Sequence, residues 1–127
     1  MKREIKYEFP VYDVTYDRFN VYCRKDIPKI TKYFSNVKGV NEVVLHGSCL
    51  QQKRKPSDID IWVWIEPTSE DKMKTIYKQA IKKFPRPKYD IIIEQDTDYN
   101  RMASTNVAGL SGVSIFKKQI FYRGSKW

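Results

Sequence analysis

The sequence predicts an α/β domain whose helices pack on one face of a sheet while acids line the other. Two observations carry this. Apolar runs of strand length, at 40–46, 57–66 and 89–94, alternate with amphipathic segments of helix length at 26–35 and 69–84. Within the middle run the alternation is strict: Ile59, Ile61, Val63 and Ile65 take one face, and Asp58, Asp60, Trp62 and Trp64 take the other. A chain of 127 residues with 41% hydrophobic content is enough for one core without staples. The expected organisation is a single domain over 1–127, in which 1–23 is an N-terminal strand or hairpin extension and 24–127 the core.

Residues 4–23 are rich in aromatic and β-branched types, and a turn near Tyr16-Asp17-Arg18 would join two strands, with Pro10 marking an edge or a bulge. Helix is expected from about Asp26 to Ser35. Pro28 is acceptable in its first turn, and Ile27, Ile30, Tyr33 and Phe34 form its apolar stripe. Gly39 ends that segment. Val40–His46 is a short apolar strand, Gly47–Gln52 a turn with one or two turns of helix, and Lys53-Arg54-Lys55-Pro56 a basic loop. After the 57–66 strand, Thr68 or Ser69 caps a helix with Glu70 and Asp71 in its first turn. Its buried stripe is Met73, Ile76, Tyr77, Ala80, Ile81 and Phe84, and Pro85-Arg86-Pro87 stops it. Tyr89–Glu94 is the third strand, with Asp90, Ile92 and Glu94 on one face. The segment 95–112 has only a weak helical pattern in Met102, Val107 and Leu110, broken at Ser111-Gly112. Residues 114–123 place apolar residues either side of Lys117-Lys118, as a turn or short helix leading to a final apolar stretch.

Composition narrows the function classes. The net charge of +9, from 24 basic and 15 acidic residues, favours polyanionic partners. Cys23 and Cys49 make no disulfide framework and have no partners at metal-ligand spacing, so a reducing cytoplasmic setting with two ordinary buried thiols is expected. A single histidine, His46, excludes a histidine-rich metal site and a His-centred triad. The N-terminus lacks the apolar stretch of a secretory signal, and no run of about 18 apolar residues occurs, so no membrane span is expected.

The stretch 43–60 carries the chemistry. An apolar strand ends at His46, Gly47-Ser48 follow, and Asp58 and Asp60 flank Ile59 at the start of the next strand. Acids at i and i+2 of an extended strand share a face about 6 to 7 Å apart, a spacing that suits a shared divalent cation. Asp90 opens the third strand with a further carboxylate. Acids gathered on one face raise one another's pKa and resist burial unless paired. A hard cation removes both costs, and an all-oxygen donor set selects Mg²⁺ or Mn²⁺ over zinc. Gly47 permits a tight turn and a close backbone approach, while Ser48 adds a hydroxyl and the backbone N–H groups after it can hold phosphate oxygens.

In these residues the chain resembles the polymerase-beta-like nucleotidyltransferase superfamily, most closely its minimal stand-alone members. The pattern is a hydrophobic strand ending in Gly-Ser, then Asp-hydrophobic-Asp, then a later Asp on a strand. Here it reads LHGS at 45–48, SDIDI at 57–61 and YDIII at 89–93. The tail VSIFKKQIFYRG is similar to the family's usual close, an isoleucine, a turn and a short strand ending on tyrosine. The resemblance covers residues 27–123 and implies the palm fold, a mixed sheet with the helices near 26–35 and 69–84 packed on the face opposite the acids. It implies that Asp58 and Asp60 bind both catalytic metals, that Asp90 completes one metal site and assists the attacking hydroxyl, and that Gly47 and Ser48 contact the triphosphate. Gln51-Gln52-Lys53-Arg54-Lys55 stand where family members often carry a small residue, which bears on loop shape and nucleotide preference.

The expected activity is transfer of a nucleoside monophosphate from an NTP, ATP first among them, to a hydroxyl of a protein, RNA or small molecule, with release of pyrophosphate. Ser57 and the basic loop Lys53, Arg54 and Lys55 join Gly47 and Ser48 as expected nucleotide contacts. The resemblance also implies a small helical partner, and either that partner or a homodimer would supply the acceptor surface; RNA is a further expected partner. The competing class is a catalytically inactive nucleotide- or nucleic-acid-binding protein, or an antitoxin-like partner-binding module. Trp62 and Trp64, on the face of the acids, are expected under the N-terminal hairpin, in an interface or against a base. The expectation places Trp62 partly in the substrate cleft and Trp64 against the N-terminal segment or a partner.

Overall fold

The computed structural model describes residues 19–50, 55–104, 112–116 and 119–122. Its centre is a five-stranded mixed sheet in the order β3-β2-β1-β4-β5. The strands are β1 (Val40–His46), β2 (Ile59–Ile65), β3 (Tyr89–Gln95), β4 (Gly112–Ser114) and β5 (Gln119–Tyr122). Only β2 and β3 run parallel; β1 pairs antiparallel with β2 and with β4, and β4 with β5. A parallel pair needs a crossover, and α2 (Glu70–Lys83) supplies it between β2 and β3. Of the two capping candidates, Ser69 does the work: its hydroxyl accepts from the Lys72 N–H at 3.2 Å.

The helical face is built by the two expected helices, with Met73, Ile76, Tyr77 and Ile81 of the expected α2 stripe half-buried against the core rather than fully buried in it. From α1 (Ile27–Ser35), Ile27, Ile30 and Phe34 are buried; from α2, Ala80 is buried, and Phe84 just past its end closes the layer. They meet Ile59, Ile61, Val63 and Ile65 of β2 and Val43 and Leu45 of β1 in one core. Each such side chain withdrawn from water contributes about 1.5–3 kcal/mol. Most of the expected hairpin lies outside the described residues. Its described end is a turn rather than strand: the Asn20 side chain accepts from the Tyr22 N–H at 2.9 Å, and Phe19 and Cys23 drop into the core. The chain then winds through a 3-10 turn, Arg24–Asp26, into α1.

The other face, for which a hairpin, an interface or a base is the expected cover, is buried. Trp62 and Trp64 are stacked at 5.3 Å with Val44 beside them, and they are only 8% and 0% exposed. A third helix, α3 (Asp98–Ser104), carries Arg101, whose guanidinium lies 5.3 Å from the Trp64 ring centre. Arg101 also pairs with buried Glu42 of β1 at 3.1 Å and with Asp96 at 2.9 Å. The weak pattern in 95–112 therefore holds a helix, and also β4, where Ser111-Gly112 reads only as a breaker. The final apolar stretch is a strand, β5, after a turn at Ile115-Phe116. No helix among the described residues is long and apolar enough to cross a membrane.

Candidate active site

Two strand registers assemble the site. The antiparallel pairing of β1 and β2 sets His46 opposite Asp60, and the parallel pairing of β2 and β3 sets Asp60 beside Asp90. The end of one strand thus meets the beginnings of two others. Asp58 lies in the bend just before β2 rather than in the strand, yet its carboxylate joins the other two. One oxygen from each of Asp58, Asp60 and Asp90 lies within 4.8 Å of the others, and all three residues are half-buried. Burial, then the neighbouring charges of Asp58 and Asp90, push the Asp60 carboxyl up to about 6.

Gly47, the first residue after β1, has φ +70°, and a Cβ there would stand 3.2 Å from Asp60 Oδ2. The glycine is needed both for its left-handed backbone and for the room it leaves beside a carboxylate. Ser48 follows in a single 3-10 turn, Gly47–Leu50, where one or two turns of helix are expected through Gln52. The position of its hydroxyl and residues 51–54, with Lys53 and Arg54, lie outside what the structure describes. Lys55 and Ser57 are exposed on a cleft of about 530 Å³ that reaches Asp58. Trp62 is buried two residues along from Asp60, its ring 5.4 Å from that of His46.

Three features of this neighbourhood are not legible in the sequence. His46 reads there only as a lone histidine. In the fold neither ring nitrogen has a hydrogen-bond partner among the described residues, and burial pushes its pKa down against the pull of Asp90 and Asp58. Asp26 reads as a helix start, but it makes no side-chain cap. It is fully buried instead, and accepts from Tyr89 Oη at 2.7 Å and Lys88 Nζ at 3.4 Å. Burial and this bond to Asp26 raise the Tyr89 pKa. Because the Ile59 N–H donates to the Lys88 carbonyl at 2.8 Å, the starts of β2 and β3 are tied together beside Asp90. Cys23 and Cys49 are both buried and hydrogen-bonded to one another; that bond and burial raise the Cys49 thiol. The Cys49 sulfur also meets the Asp60 backbone N–H.

The donor set fits a divalent cation. It consists of hard oxygens on three strand starts and bends, close enough to repel one another, with one carboxyl held above its ordinary range by burial and then by that crowding. A mixed sheet of this order, with clustered acids beside a glycine turn, defines a domain of the nucleotidyltransferase type. The sequence model of the family "Polymerase beta, Nucleotidyltransferase" matches residues 28–120, most of the chain, and the protein belongs to that family. No curated protein and no solved structure matches it.

Proposed function

We propose that this domain transfers a nucleoside monophosphate from an NTP to an acceptor hydroxyl. The observation that carries the reading is the meeting of Asp58, Asp60 and Asp90 within 4.8 Å, directly beside the Gly47 turn. Asp58, Asp60 and Asp90 would hold Mg²⁺ or Mn²⁺, which neutralises phosphate charge and stabilises the transition state as a Lewis acid. Asp90 orients the acceptor hydroxyl and takes its proton. The hydroxyl oxygen bonds to the α-phosphorus, the bond from that phosphorus to the bridging oxygen breaks, and pyrophosphate leaves with the bond's electrons. Gly47 and Ser48 bind the triphosphate through the turn's backbone and hydroxyl. Ser57, Lys53, Arg54 and Lys55 add polar and cationic contacts around it, and Trp62 backs the site.

ATP is the first donor to test, and the acceptor is sought without assumption. The protein is incubated with α-labelled NTPs, Mg²⁺, cell RNA and cell protein, and the labelled fraction is identified. The same incubation with a small helical partner or at dimer-forming concentration asks whether a second chain is required. Label transferred by the parent and lost in Asp58→Asn and Asp60→Asn supports the reading. Metal-independent polyanion binding, with no label transferred to any fraction, would reduce the domain to a binding module.

A further inference from the structure

A band of lysines leads away from the acids across the helical side of the molecule. The cleft that reaches Asp58 is lined by Lys25, Lys55 and Lys88. A second groove of about 730 Å³, between α1 and α2, is lined by Lys29, Lys32 and Lys83. The two meet at consecutive residues, Lys88 in the first and Tyr89 in the second. They are also joined through the chain, because Lys25 lies in the 3-10 turn that leads directly into α1, where Lys29 and Lys32 stand at i, i+3. Among the described lining of both, the only carboxylate is Asp58. Lys88 contacts buried Asp26 at 3.4 Å, yet its side chain remains 53% exposed.

The band also has apolar surface where it reaches the site. Tyr22 and Val21, on the rim of the cleft at Asp58, are 55% and 60% exposed. The step from Lys25, in the 3-10 turn, to Lys32 in α1 covers about 10 Å, beyond the cleft itself. A mononucleotide at the acids would not follow the cations that far, whereas a chain of repeating phosphates would. A groove of cations with an exposed aromatic ring is the arrangement that holds single strands, with the backbone on the cations and a base on the ring.

We propose that this lysine band binds a single-stranded nucleic acid and delivers its end to Asp58. The proposal rests on the nucleotidyl-transfer reading only for what happens to that end; the binding itself is independent of it. Lys25, Lys29 and Lys32 carry the phosphates leading in, Lys55 and Lys88 those nearest the acids, and Tyr22 takes a base.

The test is fluorescence anisotropy with fluorescein-labelled single strands of RNA and DNA, about a dozen nucleotides long to match a groove of this kind. The variant is Lys25→Ser/Lys29→Ser/Lys32→Ser, on exposed positions, compared with Lys72→Ser/Lys74→Ser/Lys78→Ser, which removes the same charge from α2 outside the band. The band variant should bind about tenfold or more weakly, with the slope of log affinity against log salt reduced by about 2. The α2 variant should stay within about threefold of the parent, and Tyr22→Ala should lose about fivefold or more through the base contact. Equal loss in both lysine variants, or no binding by the parent, would overturn the proposal. So would displacement of the strand by polyglutamate as readily as by unlabelled oligonucleotide, which would point to an acidic protein. If the strand binds as expected but its end receives no label while cell protein or a small molecule does, delivery of the end to Asp58 is overturned and the transfer reading stands.

Discussion

Asp60 is held by two strand registers at once, between Asp58 and Asp90 and with Gly47 against its Oδ2. Its folded-state pKa is raised, so it favours the metal-free fold at acid pH and opposes it once ionised. Asp60→Asn should therefore abolish nucleotidyl transfer while raising the metal-free melting temperature by about 2–5 °C at pH 8. Pyrophosphate release beside a circular-dichroism melt checks both halves, and near-parental turnover would remove the enzyme assignment. Asp90→Ala should lower turnover about 10²–10⁴-fold through loss of the proton acceptor, with a smaller effect on nucleotide affinity. Steady-state kinetics beside equilibrium nucleotide binding separates the two; unchanged turnover with a large affinity loss contradicts the role. Gly47→Ala must place a Cβ in left-handed backbone, 3.2 Å from the Asp60 carboxylate. The backbone cost alone is about 1–2 kcal/mol, and the crowding moves Asp60, so urea stability and turnover should fall together.

At the scale of elements, two buried polar contacts decide how the pieces sit. The Tyr89 hydroxyl joins the first strand position of β3 to Asp26, ahead of α1. Tyr89→Phe removes a donor from a buried carboxylate and should cost about 1–3 kcal/mol in urea unfolding. On the other face, Arg101 anchors α3 over Trp64 and beside Glu42, which is 2% exposed. Arg101→Met removes the cation next to that buried acid and should destabilise the protein by about 3 kcal/mol or more. Glu42→Met/Arg101→Met should be milder than the single Arg101 change, because the buried Glu42 charge is removed together with its Arg101 partner. A double mutant at least as unstable as the sum of the two singles would show that the pair is not the anchor. The parallel β2–β3 pair leaves β3 at a sheet edge with Ile92 41% exposed, and Asp90 comes from its opening rather than from its open middle.

For the molecule as a whole, a cation that binds the assembled acids and not the unfolded chain must stabilise the fold by mass action. Mg²⁺ at about one hundred times its dissociation constant should add about 2.7 kcal/mol, visible as a rise in melting temperature. Asp58→Asn should abolish most of that rise. An equal rise in parent and variant would mean that the ion acts elsewhere, by general screening of the net charge of +9. The same charge, laid along α1 and around the cleft at Asp58, makes polyanion affinity a strongly salt-dependent property of this surface.

Patterns that repeat locally were legible in the residues alone. The alternation of Ile59, Ile61, Val63 and Ile65 marked the buried face of β2, and the stripes of 26–35 and 69–84 marked the helices that cover it. The LHGS, SDIDI and YDIII segments identified the acids and the family, because strand ends and spacings are written in consecutive residues. Contacts between distant segments came only with the fold. No periodicity signals that Arg101 would reach Glu42 and Trp64, that Asp26 would leave its helix cap for Tyr89, or that Cys23 would meet Cys49. Nor did alternation alone show that the face of Trp62 and Trp64 would be covered. Period two says which side chains share a face of a strand; what lies over that face is set by where the rest of the chain packs.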